Sequence, residues 1–268
     1  ATILAAATVA AAAALFFGLR CSDGSAKWGS AACLLTGLLL LLDLFLGVAG
    51  PVPIRDDPDK ELFQKISDVS IGGEIVESRW SSFGRSDLVR YRKYPGSMGM
   101  YIDGAAGTSM YRWDGRLPVN IDRETLLSQP FPGVFPFAFM GSQQKRSVLI
   151  IGPGGGRDVL ATLMAGVKQI VAVEVNPDFV ALVREHEAYN GRIYTGFEQV
   201  EVVIDEGRSF LQRSEKTYDA IMLALPSTKS ARAEGHALAE QFLYTREAFK
   251  EYLEHLGKDG SLILVAHH

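Results

Sequence analysis

The sequence predicts an α/β fold, a parallel sheet doubly wound with helices on both faces. Three observations predict it. After Lys145 short apolar runs alternate with helical stretches. A glycine cluster separates the first run, Val148 to Ile151, from the helix after it. The next run ends on an acid, Glu174, 22 residues beyond Gly152.

The elements follow in order. Ile170 to Val175 reads as the second strand and Phe179 to Tyr189 as a helix. Val200 to Ile204 is the third strand and Tyr218 to Leu225 the fourth. Thr245 to Leu256 carries Phe249, Tyr252, Leu253 and Leu256 at helical spacing. Lys258-Asp259-Gly260 reads as a turn and Ser261 to Ala266 as a fifth strand. Strands joined by crossover helices pair in parallel.

Upstream, residues 71–125 read as a small antiparallel β unit. Its strand candidates are Glu74 to Trp80, Asp87 to Tyr91 and Met98 to Ile102, with turn signals at Asp103-Gly104 and Asp114-Gly115. Leu126 to Met140, rich in Pro and Phe, is a connection into the α/β domain at residues 126–268. Residues 51–70 read as a proline-broken polar linker.

Residues 1–50 have a different composition. Their only charges are Arg20, Asp23, Lys27 and Asp43, which cancel, so the net charge of −4 belongs to the remainder. Ala1 to Leu19 and Gly29 to Pro51 are each long enough to cross a bilayer core, which takes about 20 apolar residues. A short polar loop with Trp28 joins them. The expectation is a transmembrane helical hairpin with membrane lipid as its partner. A cleaved signal peptide lacks support, because no basic segment precedes the first run and a second follows it. Asp43 within the second run is a costly intramembrane carboxylate, or lies near an end of its helix. Arg55, Lys60 and Lys65 outnumber Arg20 and Lys27, which puts the soluble part on the cytoplasmic side. The chain starts at Ala1 and stops within its predicted last strand, so it reads as a fragment cut at both ends.

Composition excludes other classes. A pI near 5.8 gives no basic footprint for nucleic acid. The two cysteines, Cys21 and Cys33, flank the hairpin loop, so no disulfide scaffold exists. No spacing of ligating residues suits a metal, and no serine or cysteine has a nucleophile's setting. His186 and His255 read as residues of solvated helix faces.

The chemistry concentrates at Gly152-Pro-Gly154-Gly155-Gly156-Arg157-Asp158. A glycine turn between strand and helix lets backbone approach a ligand, as in Rossmann-like folds. An acid at the end of the next strand, Glu174, accepts the hydroxyls of an adenosine ribose. Arg157 fills the position where a dinucleotide motif has its third glycine. Asp158 in the first helical turn repels a pyrophosphate and suits the ammonium or sulfonium of S-adenosylmethionine. A nicotinamide dinucleotide is thereby disfavoured. Asp205 and Glu206, after the third strand, are candidates to accept from an adenine amino group. The candidate cofactor-binding set is Gly152, Gly154, Gly155, Gly156, Asp158, Glu174, Asp205 and Glu206.

These residues resemble the polyamine synthases, the spermidine synthase-like aminopropyltransferases of the class I S-adenosylmethionine-dependent methyltransferase-type fold. Tyr101-Ile-Asp103-Gly104 is similar to that family's Leu-Asp-Gly strand end. Gly152 to Gly156, Val173-Glu174-Val175, Glu206-Gly207, Tyr218-Asp219, Phe242 to Phe249 and Lys258 to Gly260 continue the likeness. The apolar hairpin resembles that of membrane-embedded bacterial relatives, which implies the bacterial inner membrane. The resemblance implies decarboxylated S-adenosylmethionine as donor, a small amine acceptor and a homodimer.

It also marks departures. The family's catalytic acid falls at Ala224 and a second acid at Ser227. The acid of its glycine loop falls at Gly155, and its glutamine after Leu-Asp-Gly at Gly107. Asp103, Asp158 or Glu240 are candidate substitutes. His236 lies in a segment that reads as a lid. Three readings stay open: aminopropyl transfer, methyl transfer from S-adenosylmethionine, and a catalytically silent adenosyl-ligand sensor.

Overall fold

The computed structural model describes residues 57–264 apart from 106, 120, 129–131 and 224–241, together with 35 and 38. Contacts divide the chain into one unit at Ala1–Asp56 and another at Asp57–His268. Apart from Leu35 and Leu38, the expected membrane hairpin lies outside the described residues, as do Ala224, Ser227, His236 and Glu240. Among the described residues, no helix is long and apolar enough to cross a membrane.

The second unit begins with a helix, α1 (Glu61–Ser67), inside the stretch expected as linker. Leu62 is fully buried, and its N–H donates to the Gly104 carbonyl at 2.9 Å. The proline-broken composition ends before it, so apolar Leu62 and Ile66 rather than the flanking polarity decide this segment.

Four strands then form an antiparallel meander: β1 (Gly73–Ser81), β2 (Gly84–Tyr91), β3 (Ser97–Ile102) and β4 (Thr108–Tyr111). The first three fall where alternation placed them. The fourth was not expected, because four residues beginning Thr-Ser carry too little pattern. One face of the meander buries Leu88, Met98, Met100 and Met110 against the α/β domain. The other buries Val89, Tyr91 and Tyr101 with Leu62. Arg85 and Asp87, also buried, pair at 2.6 Å, while Arg85 Nε and Asp87 Oδ2 have no hydrogen-bond partner. Burial pushes the Asp87 carboxyl up, against the pull of Ser78 and Arg85.

A short helix α2 (Arg123–Leu127), capped by the Asp122 side chain, and a 3-10 helix at Pro132–Phe139 lead into the α/β domain. Its strands are β5 (Ser147–Ile151), β6 (Gln169–Glu174), β7 (Val200–Ile204), β8 (Tyr218–Leu223) and β9 (Leu256–Leu264). All pair in parallel, in the order β7-β6-β5-β8-β9. This is the doubly wound sheet expected from the sequence. Order reverses between β5 and β8, and ligands of such sheets bind beyond the strand ends at that crevice. In β5, Val148 and Ile150 enter one core while Leu149 and Ile151 enter the other. Burial on both faces explains the unbroken apolar run.

The helices are α3 (Arg157–Met164), α4 (Pro177–Glu185), α5 (Glu187–Asn190), α6 (Gly207–Arg213) and α7 (Arg246–Glu254). The helix expected over 179–189 is divided at His186, where ψ is 30°. It begins earlier because Asn176 caps it and Pro177 fits its first turn. The turn expected at 258–260 is a bulge within β9: Tyr218 pairs with Leu256, but Ala220 pairs with Ser261. His186 and His255 are half-buried rather than on solvated faces. His255 Nε2 lies 2.9 Å from the Ser214 carbonyl, which ties the end of α7 to the end of α6.

Thr245 caps α7, its Oγ1 accepting from Ala248 N–H at 3.1 Å. Thr245→Ala is expected to lower stability by about 1 kcal/mol. Denaturant midpoints at unchanged slope measure it.

Candidate functional site

The glycine loop leaves β5 at its C-terminal end and enters α3. Gly154 has φ +54° and Gly156 φ +87°, conformations that suit glycine. Every N–H of the loop core is directed. Gly154 N–H donates to Glu174 Oε2 at 2.9 Å, and Gly155 N–H to Thr108 Oγ1 at 3.3 Å. Gly156 N–H donates to the Pro153 carbonyl and Gly152 N–H to that of Val173. The Tyr194 hydroxyl donates to the Gly154 carbonyl at 3.0 Å.

Glu174 ends β6 and is 6% exposed. Oε1 accepts from Asn176 N–H at 3.0 Å. Burial pushes its carboxyl above the usual carboxylate range, against the backbone N–H groups of Asn176, Gly154 and Val175. A carboxylate offers about four lone-pair positions. At least one here is left for a hydroxyl donor, so the residue fits the ribose of an adenosyl ligand.

Asp205 and Glu206 follow β7, beside Glu174. Glu206 caps α6, accepting from Arg208 N–H at 2.9 Å and Ser209 N–H at 2.7 Å. Asp205 accepts from Glu206 N–H at 2.8 Å and pairs with Arg213. Half of the acceptor capacity of Glu206 goes to the cap, and the remainder suits an amino group. Val175 and Ile204 stand beside these acids at the same edge. They are exposed apolar side chains that could lie against a planar ring.

Two of the three candidate substitute acids, Asp158 and Asp103, lie apart from this row. Asp158 is buried in the first turn of α3, with Oδ1 3.4 Å from Arg157 Nε. A Cβ at Gly133 would stand 2.9 Å from that oxygen, so the 3-10 segment closes over it. Asp103 has φ 49° and accepts from Arg85 N–H at 2.9 Å, across the β2–β3 end. Both carboxylates are thus engaged by contacts from elsewhere in the fold.

Sequence reasoning missed Thr108, Tyr194, Asn176 and Ser86. Tyr194 is fully packed, and its phenol is pushed well above the usual value by burial and by Glu174 and Asp158. The Asn176-Pro177 pair at a strand end carried a capping signal. The others had none, because they reach the loop only through the tertiary fold. Among the described residues, no group of three or more His, Cys, Asp or Glu could hold a metal ion.

The family description spermine/spermidine synthase domain matches residues 134–268, half of the chain. The chain belongs to the spermine/spermidine synthase family. Among curated members, the polyamine aminopropyltransferase 2 of Hyperthermus butylicus is 29% identical over 128 residues, which is 47% of this chain and 40% of that protein. The namesake from Pseudomonas aeruginosa is 30% identical over 131 residues, 48% of this chain and 35% of that one. The chain therefore spans less than half the length of these two relatives. A spermidine synthase crystallised with the transition-state analogue AdoDATO is 19% identical, with a TM-score of 0.46 over 69% of this chain and 56% of that one. The spermidine synthase of Thermotoga maritima gives 18% and 0.44, over 69% and 54%.

Proposed function

We propose that this member of the spermine/spermidine synthase family transfers the aminopropyl group of decarboxylated S-adenosylmethionine to a small amine. The observation that carries the reading is Glu174, buried at the end of β6 and bonded to the glycine loop through Gly154 N–H. An acid so placed takes the ribose, and the loop then faces the methionine-derived arm of the ligand.

In the reaction the amine nitrogen attacks the carbon beside the sulfonium. The C–N bond forms as the C–S bond breaks, its electron pair going to sulfur. Neutral 5′-methylthioadenosine leaves, and the new ammonium gives up a proton. The described residues bind and orient the donor, and orientation alone supplies much of such a barrier. The absence of acids at Gly155 and Ala224 favours a second reading, methyl transfer or a silent sensor. Residues 1–50 would hold the domain at the cytoplasmic face of the bacterial inner membrane. Their two apolar runs support this, and retention in the membrane pellet after alkaline carbonate washing tests it.

The function is tested on the full chain with decarboxylated S-adenosylmethionine and putrescine, and separately with S-adenosylmethionine and the same amine. Amine-dependent release of 5′-methylthioadenosine supports the proposal. S-adenosylhomocysteine would establish methyl transfer instead. Binding without either product would leave the sensor reading, and no binding would remove both.

A further inference from the structure

We propose that Ser86 and Asn176 are positioning residues for Glu174, through which the small antiparallel sheet sets the affinity for the ligand's ribose. The inference rests on the reading that Glu174 takes the ribose hydroxyls.

The connection is a chain of hydrogen bonds among fully buried groups. Ser86 lies on β2, and its hydroxyl accepts from Asn176 Nδ2 at 3.0 Å. Asn176 Oδ1 accepts from Asp178 N–H at 3.0 Å, as the cap of α4. That second bond fixes the orientation of the amide, because only its oxygen can accept from an N–H. With both ends of its side chain held, Asn176 presents its own N–H to Glu174 Oε1. The other oxygen is held by Gly154 N–H, whose neighbour Gly155 is bonded to Thr108 on β4. Two of the supports of the carboxylate, through Asn176 and through Gly154, therefore lead to the meander, at Ser86 and Thr108.

The residue type at 176 matters for charge as well as shape. An asparagine donates to Ser86 and caps α4 without adding an anion. An aspartate there would set a second carboxylate two residues from a buried one. Like charges at such a distance raise the pKa of one or both.

The test compares 5′-methylthioadenosine with its 2′,3′-dideoxy form, titrated into the full chain and its variants. Ser86→Ala is expected to weaken binding of the first about tenfold, the order of one buried hydrogen bond. Binding of the dideoxy form should stay within twofold. Equal loss for both ligands would make Ser86 merely structural, and no loss for either would remove the proposal. Asn176→Asp is the second variant: the pH at which ribose-dependent affinity is half lost should rise, and an unmoved midpoint would also overturn the proposal. Glu174→Gln separates the two levels. If the parent protein does not distinguish the ligands, or Glu174→Gln leaves binding intact, the reading of Glu174 itself falls and takes the inference with it. If the parent distinguishes them and Ser86→Ala does not change this, the inference alone falls.

Discussion

Glu174→Gln is expected to weaken binding of an adenosyl ligand by about a hundredfold or more. A hydrogen bond to a charged acceptor contributes about 1.5–3 kcal/mol, and a ribose offers two hydroxyls to this carboxylate. Each 1.4 kcal/mol is about tenfold. The amide cannot substitute, because both oxygens of Glu174 face N–H donors, of Gly154 and Asn176. A glutamine turns one of those contacts into donor against donor. The loss should be confined to ligands with ribose hydroxyls. An isothermal titration that found less than a fivefold change would remove Glu174 from the site.

The same group gives opposite pH slopes to binding and to stability. Its carboxyl is pushed above the ordinary value of 4.5 in the folded chain, chiefly by burial. Between the unfolded and the raised folded value, the folded state binds more protons. Its contribution therefore makes the ligand-free protein more stable as pH falls from neutral through that interval. Ligand affinity goes the other way, because the ionised form accepts the hydroxyls. Melting temperatures and affinities measured together against pH, each referred to Glu174→Gln, check both signs. Parallel slopes would mean that another group titrates. Asp87 is also pushed up by burial, and its contribution cancels in that comparison.

How much of this was legible in the sequence follows from the range of each signal. Val200–Ile204 forms a strand over the span that its four apolar residues around Glu201 indicate. Glu174 and the glycine loop could be singled out as candidates because strand end, turn and helix start are contiguous in the chain. Thr108 and Ser86 were not, since their partners lie 47 and 90 residues away. A polar residue in a strand of the meander looks the same whether it faces water or a loop of another sheet. The acids Asp103 and Asp158 show the converse. They were candidate substitutes for the acids missing from the family pattern, whereas tertiary contacts commit one to the Arg85 backbone and bury the other beneath Gly133. Charge can be counted in a sequence, but its accessibility is set by packing.

Gly155→Ala should be the most damaging small substitution in the loop. A Cβ at this position would stand 2.8 Å from Met110 N and closer still to the Ser109 carbonyl. Both are backbone atoms of β4, which is hydrogen-bonded to β3 through four register pairs. No rotamer can relieve such a contact, so either the loop or the strand must shift. Overpacking costs about 1–3 kcal/mol where side chains can adjust, and more where they cannot. The expected loss is therefore at the upper end, about 3 kcal/mol. Movement of the loop would also break the Gly154–Glu174 bond, so adenosyl affinity should fall with stability. Gly257→Ala is the control: its Cβ would meet only the Tyr218 carbonyl, at 3.6 Å, an ordinary contact. Its effect should stay within about 0.5 kcal/mol. Denaturant unfolding of the two variants decides the matter. A Gly155→Ala protein as stable as the control would mean that β4 does not press on the loop. The dependence of the ligand site on the small sheet would then rest on the Asn176–Ser86 and Gly155–Thr108 hydrogen bonds rather than on close packing.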